Sequence, residues 1–195
     1  MKRQIALAAA GLIALVGVVL LAGTALLVLR PPAEQRGAAL VGGPFTLTDQ
    51  NGATVTDASF KGEPFLVFFG YTHCPDVCPT TLSDMSQMLN ALGKDRKTRA
   101  AFITVDPERD TPAVLKDYLS NFDPRIVGLT GSPQSVAAVE KAYRVYSKKV
   151  PTEGGEYSMD HTAIVYLMDK SGAFVNAFNL EQAPEKAAKE LEAYL

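Results

Sequence analysis

The sequence predicts an α/β fold in which helices flank a central mixed β-sheet. Apolar runs rich in β-branched and aromatic residues at 65–69, 101–105 and 126–129 are typical of buried strands. Segments with helical spacing of apolar residues separate these runs, and the chain ends in a predicted hairpin and a helix. Strands that alternate with helices and then close in a hairpin favour a mixed sheet covered by helices.

A short hairpin is predicted before the first buried strand. Phe45 to Thr48 alternates in polarity, the turn at 49–52 contains Asn-Gly, and residues 53–55 form the return strand. Pro64 then suits the start of the strand at 65–69, because proline can open a strand but cannot continue one.

Capping signals bound the predicted helices. The first begins at Asp76 or Pro79, and Gly93 closes it. Thr111 and Ser132 are good N-cap residues, because their hydroxyl oxygens can accept bonds from first-turn N–H groups, and the proline that follows each suits the first helical position. The four predicted helices cover residues 76–92, 112–121, 133–143 and 183–195.

The last third of the chain is predicted to be mainly extended. Residues 145–150 form an extended segment, 151–155 a loop tip, and 162–168 and 173–179 the two strands of a hairpin. Strands that alternate with helices and then end in a hairpin and a helix have the βαβ…ββα layout of a thioredoxin-like domain.

The first 30 residues differ in composition from the rest. Ile5 to Leu29 contains no charged residue and exceeds the roughly 20 residues that span a bilayer core. Because the apolar run continues past the small residues at 22–25, we expect an uncleaved transmembrane helix. The short basic N-terminus should stay inside, with the C-terminal domain outside the cytoplasm. The predicted organisation is an N-terminal membrane anchor over 1–30, a linker over 31–41 and one domain over 42–195.

Charge and cysteine content narrow the function. The chain has 19 Lys and Arg against 21 Asp and Glu without a basic block, so a nucleic-acid partner is not expected. Two cysteines are too few for a disulfide scaffold in a domain of this size. Outside the cytoplasm unassisted thiols tend to oxidise, so a close pair indicates redox or metal chemistry.

Cys74 and Cys78 follow directly after the central predicted strand. At a spacing of four in a helical turn their Cα atoms would lie about 6 Å apart, which permits a disulfide or shared metal coordination. Pro79 fits only the first turn of a helix, so Cys78 is expected at the helix start and Cys74 in the loop before it. A helix N-terminus is expected to lower the pKa of such thiols.

Two histidines are available to complete a metal site. His73 adjoins Cys74 and is interpreted as a loop residue, because neighbours in the chain tend to point apart. His161 is predicted in the loop that opens the strand at 162–168, which faces the cysteine loop in a thioredoxin-like sheet. Two thiolates and an imidazole suit Cu(I) or Zn(II), and a three-ligand site fits copper better than structural zinc.

Three further features have two open interpretations. Met159 is either a soft extra ligand or, as is more usual, a packing residue. Asp160 either orients the imidazole or is a solvated acid. The Asp106–Pro112 segment is either a capped strand-to-helix turn or a loop that shapes the site.

Together, three motifs resemble the Sco/SenC family. They are Cys74–Pro79, Asp106–Pro112 and Asp160–Thr162, in this order and behind an N-terminal anchor. The resemblance covers residues 41–195 and implies a membrane-anchored, thioredoxin-like copper protein.

The resemblance also implies a function and its site. The family assembles the binuclear copper (CuA) centre of cytochrome c oxidase, and its copper ligands map onto Cys74, Cys78 and His161. The expected cofactor is a copper ion, as Cu(I) or Cu(II), and the expected partners are oxidase subunit II and other copper carriers. The expected location is the inner membrane, crossed once, with the soluble domain facing the periplasm.

Other functions would use the same thiols. Cys74 and Cys78 would be the redox-active pair of a thiol-disulfide oxidoreductase that keeps the cysteines of subunit II reduced, and His161 would not be needed. Family members are also reported as redox sensors. A peroxiredoxin-like peroxidase fits less well, because the residues before Cys74 depart from that active-site pattern.

Overall fold

A computed structural model of the protein describes residues 41–195, which belong to one compact unit. The predicted anchor over 1–30 and the predicted linker, except for its last residue, lie outside the described residues. Within the described range, no helix combines the length and the apolar character that a membrane crossing requires.

The described chain contains the strands and helices that the sequence predicts, in the predicted order, with one additional strand at 157–161. The strands are β1 Thr46–Asp49, β2 Thr54–Thr56, β3 Phe65–Gly70, β4 Ala100–Thr104, β5 Ile126–Thr130, β6 Ser147–Pro151, β7 Tyr157–His161, β8 Val165–Met168 and β9 Phe174–Ala177. The α-helices are α1 Val77–Leu92, α2 Pro112–Leu119, α3 Pro133–Tyr143 and α4 Pro184–Glu192, and two short 3-10 turns cover Asp57–Phe60 and Glu153–Gly155.

Seven strands form one mixed sheet in the order β2-β1-β5-β4-β3-β8-β9. β3, β4 and β5 run parallel, whereas β1 pairs antiparallel with β5 and β8 pairs antiparallel with β3. This arrangement confirms the predicted α/β fold with a central mixed sheet.

The central strand β3 positions the loop that carries both cysteines. All six of its residues are buried, because β4 and β8 flank it on both sides and the helices cover the sheet. β3 and β4 are parallel, so their carboxyl ends reach the same edge of the sheet, which is where sites of α/β proteins form. The cysteine loop and the Asp106–Pro112 segment therefore begin side by side.

The structure differs from the prediction around His161. Residues 157–161 are not a loop but strand β7, which pairs antiparallel with β6 in a two-stranded ribbon separate from the main sheet. The strand predicted over 162–168 begins only at Val165. The reason is the pairing of residues 157–161 with 147–151, which the turn at Gly154 and Gly155, with φ of 82° and 84°, brings together.

Candidate metal centre

The loop between β3 and α1 holds the two cysteines as predicted. Asp76 is the N-cap residue of α1, so Cys78 lies in the first helical turn and Cys74 in the loop before it. Both thiols are free. The backbone N–H of Cys78 donates to Cys74 Sγ at 3.4 Å, and the backbone N–H of Cys74 donates to the Tyr71 carbonyl at 3.3 Å. These bonds fold the loop so that both sulfurs face the same side.

His161 completes a group of three possible metal ligands. Its Nε2 atom lies 3.6 Å from Cys78 Sγ, and the ligand atoms of Cys74, Cys78 and His161 all lie within 4.8 Å of one another. With metal–sulfur bonds of about 2.3 Å, two sulfurs of a trigonal three-ligand site are about 4.0 Å apart. A shift of less than about 1 Å would therefore let all three atoms bind one ion.

A backbone hydrogen bond sets the tautomer of the imidazole. Nδ1 of His161 lies 3.1 Å from the Thr162 carbonyl oxygen, which can only accept. Nδ1 must therefore carry the proton, and Nε2, which faces the sulfurs, has the free lone pair. Metal-binding histidines are commonly held in this way, by a bond from the other ring nitrogen.

Burial decides the protonation of two of these groups. Burial raises the pKa of the Cys78 thiol, and its hydrogen bond with Cys74 adds to this effect. The pKa of the Cys78 thiol is thus raised and not lowered as the position at the helix N-terminus predicts, because its loss of hydration is the largest contribution. Burial also lowers the pKa of His161, which favours the neutral imidazole that a metal requires.

Gly70 is a site residue that the sequence analysis missed. A Cβ atom at this position would lie 2.8 Å from Cys78 Sγ and 2.7 Å from the Phe102 ring. The Cys78 sulfur can therefore reach its position only because the last residue of β3 has no side chain. A glycine at the end of an otherwise bulky apolar strand was the available signal, since it often marks a close approach.

The Asp106–Pro112 segment has both of the roles that the sequence left open. Thr111 caps α2 by accepting a bond from the Val114 N–H at 3.4 Å. The fully buried Asp110 accepts bonds from the hydroxyls of Thr72 and Thr104, each at 2.6 Å, and from the Thr72 N–H at 3.1 Å. Asp110 thereby fixes the cysteine loop to the end of β4.

The remaining sequence candidates lie outside this group of ligands. His73 is exposed, and its Nδ1 is 3.0 Å from the Thr72 hydroxyl. Met159 is buried in the hydrophobic core, which favours its packing role. Asp160 is exposed, because neighbouring residues of a strand face opposite sides and His161 faces inward. The His161 imidazole bonds the Thr162 carbonyl and not the Asp160 carboxylate. Asp160 therefore does not orient the ring through a hydrogen bond.

The chain matches the SCO1/SenC family model over residues 33–195. It is 39% identical over 149 residues to a SCO2-like protein of Rickettsia felis, which covers 75% of this chain and 73% of that protein. It is 38% identical over 163 residues to the mitochondrial SCO1 homolog of Homo sapiens, covering 82% of this chain and 54% of that longer protein.

Solved structures of the same family have the same fold. The structure of ScoI from Bradyrhizobium japonicum with copper bound is similar at a TM-score of 0.77 and 62% identity, covering 80% of this chain and 99% of that one. Yeast Sco1 with copper bound is similar at a TM-score of 0.72 and 39% identity, covering 79% and 87%. These similarities confirm the thioredoxin-like fold.

Proposed function

The chain belongs to the SCO1/SenC family, and on that basis we propose that it is a copper chaperone for the CuA centre of cytochrome c oxidase. Cys74, Cys78 and His161 are the proposed copper ligands. The observation that carries the proposal is the convergence of their ligand atoms to within 4.8 Å. Relatives whose structures contain copper support the choice of metal.

The chemistry of the three groups suits copper. Thiolates are soft ligands that select Cu(I), and a neutral imidazole binds copper in either oxidation state. Because burial raises the pKa of the Cys78 thiol, this group gives up its proton only when the metal binds. Copper uptake should therefore release protons and strengthen as the pH rises.

The site is also suited to passing its metal on. Cys74 is 9% exposed and His161 is partly exposed, whereas Cys78 is fully buried. An incoming thiolate from an acceptor protein can thus approach the metal from the side of Cys74 and His161 and replace them one at a time. Cys78 would be the last ligand to release the copper.

The proposed partners and location follow from the family. The acceptor is oxidase subunit II, and other copper carriers supply the metal. Residues 1–30 are proposed to anchor the protein in the inner membrane, with the domain facing the periplasm. There the domain would meet the CuA-bearing part of the oxidase.

A second candidate function is thiol-disulfide exchange. It is favoured by the two free thiols, whose residues are linked by the bond from the Cys78 N–H to Cys74 Sγ. In this reaction Cys74, the more exposed thiol, attacks a disulfide of the target. Cys78 then displaces the target, so that Cys74 and Cys78 form a disulfide and the target gains two thiols.

A copper titration of the purified, reduced full-length protein tests the first proposal. We expect one copper per chain and a loss of affinity in His161→Ala. The matched control is His73→Ala, because His73 is the other histidine of the chain, adjoins Cys74 and is exposed. Equal affinity of His161→Ala and the wild type would refute the assignment.

Complementation separates the two functions. The test uses a host that lacks the protein. If the protein is a copper chaperone, the wild type and His73→Ala should restore oxidase assembly, whereas His161→Ala should not. A thiol-disulfide oxidoreductase needs only the cysteines, so full restoration by His161→Ala would favour that function.

A further inference from the structure

The ribbon that carries His161 is not part of the main sheet. As strands they pair only with each other, in a sheet separate from the seven-stranded one. The chain tethers the ribbon at its base, where Ser147 pairs with His161, while Tyr157 lies at its other end. A lone two-stranded ribbon is marginally stable in water, so side-chain contacts must set its position.

Arg109 makes the most extensive of these contacts. Its Nε donates to the carboxylate of Asp106, and its Nη1 donates to the Tyr157 carbonyl at 2.9 Å. Its guanidinium carbon lies 3.7 Å from the centre of the Tyr157 ring. The Tyr157 hydroxyl returns to the same Asp106 carboxylate at 2.9 Å. Arg109 and Asp106 thus bind the far end of the ribbon through the backbone carbonyl, the ring and the hydroxyl of Tyr157.

The same guanidinium also contacts an aromatic residue next to the metal site. Its carbon lies 5.8 Å from the centre of the Tyr71 ring. The buried Tyr71 ring in turn packs edge-on against the His161 imidazole, with 5.8 Å between the ring centres. Tyr71 also accepts the backbone bond from Cys74. Arg109 therefore contacts the ribbon directly and, through Tyr71, also the cysteine loop and the His161 imidazole.

We propose that Arg109 is a positioning residue for the metal site, which it serves by holding the β6–β7 ribbon against the cysteine loop. Without Arg109 the Tyr157 carbonyl and the Tyr71 ring lose a shared contact. The far end of the ribbon then keeps the Tyr157–Asp106 hydrogen bond and the Lys149–Glu108 ion pair. The His161 imidazole, which packs on Tyr71, is then held less firmly within reach of the two sulfurs. The cysteines keep their geometry, because Asp110 fixes their loop independently. This inference rests on the proposed function as a copper-binding protein.

Arg125 provides a matched control for the loss of an arginine. Its side chain is 16% exposed, against 18% for Arg109, and both arginines pair with a buried aspartate. Arg125 bonds Asp123 and the Gly93 carbonyl, far in the chain from the ribbon. Arg125→Ala therefore removes a comparable ion pair without touching Tyr157.

The test measures copper affinity by competition with a chelator in the reduced full-length protein. We expect Arg109→Ala to bind copper about 10- to 100-fold more weakly, as is usual when a group that orients a ligand is lost. Arg125→Ala should bind like the wild type even if its thermal stability falls. In the His161→Ala background, Arg109→Ala should cause no further loss, because the group that it positions is gone.

Two outcomes would overturn the inference while leaving the function intact. One is wild-type affinity in Arg109→Ala, and the other is an equal, additive loss with His161 present or absent, which indicates a general effect on the fold. If the wild type binds no copper, the proposed function itself fails.

Should Arg109→Ala not fold, Tyr157→Phe removes only the bond to Asp106. It is then expected to weaken copper binding with the same dependence on His161, and wild-type affinity in Tyr157→Phe would refute the inference.

Discussion

Replacing Gly70 with alanine should displace the Cys78 sulfur from the metal site. Gly70 ends β3, and the added Cβ would lie 2.8 Å from Cys78 Sγ and 2.7 Å from the Phe102 ring. Non-bonded heavy atoms pack at about 3.5–4.0 Å, so the sulfur or the strand must move by about 1 Å. Cys78 and Phe102 are both fully buried, so neither has free space to move into.

The size of this shift determines the expected effects. Alanine in a strand normally gains about 0.4–1 kcal/mol over glycine, because the unfolded chain has fewer conformations to lose. Overpacking a buried site typically costs about 1–3 kcal/mol, so the net change should be destabilising. Metal sites tolerate ligand displacements of only about 0.2 Å, so a shift of about 1 Å should remove Cys78 as a full ligand.

Gly128→Ala is the matched control for this substitution. Gly128 lies in β5 of the same sheet, and its added Cβ would lie 2.5 Å from Leu119 Cδ1, away from the sulfurs. Denaturant unfolding and copper titration of both variants separate stability from metal binding. We expect both variants to lose stability and only Gly70→Ala to lose copper affinity. Wild-type copper affinity in a folded Gly70→Ala protein would refute the steric argument.

Two further predictions concern the thiols and the acid stability. In the reduced, metal-free protein, iodoacetamide should modify Cys74 before Cys78, since Cys78 is fully buried and its burial raises its thiol pKa; peptide mass spectrometry that finds Cys78 modified first would contradict this order. Burial alone raises the pKa of Asp123, but hydrogen bonds from Arg125 outweigh it and hold this pKa below 3.8. The ionised Asp123 carboxylate therefore stabilises the folded protein above that pH. This contribution is lost as the pH falls through the folded-state pKa of Asp123. Asp123→Asn should lower the urea midpoint at pH 7 and flatten its decline in acid; an unchanged profile would argue against the ion pair.

The local features of the chain could be predicted from the sequence. The uninterrupted apolar run at 65–69 identifies the central strand, and Pro79 correctly places Cys78 at the start of a helix. Thr111 and Ser132 cap their helices as predicted. These features depend on neighbours within a few positions, which is the information that a sequence pattern contains.

The supports of the site depend on contacts between distant segments. The strand at 157–161 was predicted as a loop, because its polar residues hide a pairing with 147–151 that only the folded ribbon reveals. Arg109 carries no mark of its role in the sequence, since it acts on Tyr157, 48 positions away. Gly70 gives only a general signal of a close approach, and the sequence does not say that the approaching atom is the Cys78 sulfur. The candidate ligands could be named in advance, because the chain has only two cysteines and two histidines and the family resemblance maps its copper ligands onto Cys74, Cys78 and His161.

X-ray absorption at the copper edge tests the central claim most directly, because it counts the atoms bound to the metal. In the copper-loaded wild type the account predicts two sulfur neighbours and one imidazole nitrogen. In His161→Ala the two sulfurs should remain and the imidazole signal should be absent. An imidazole signal that persists in His161→Ala, or a wild-type site with fewer than two sulfurs, would contradict it.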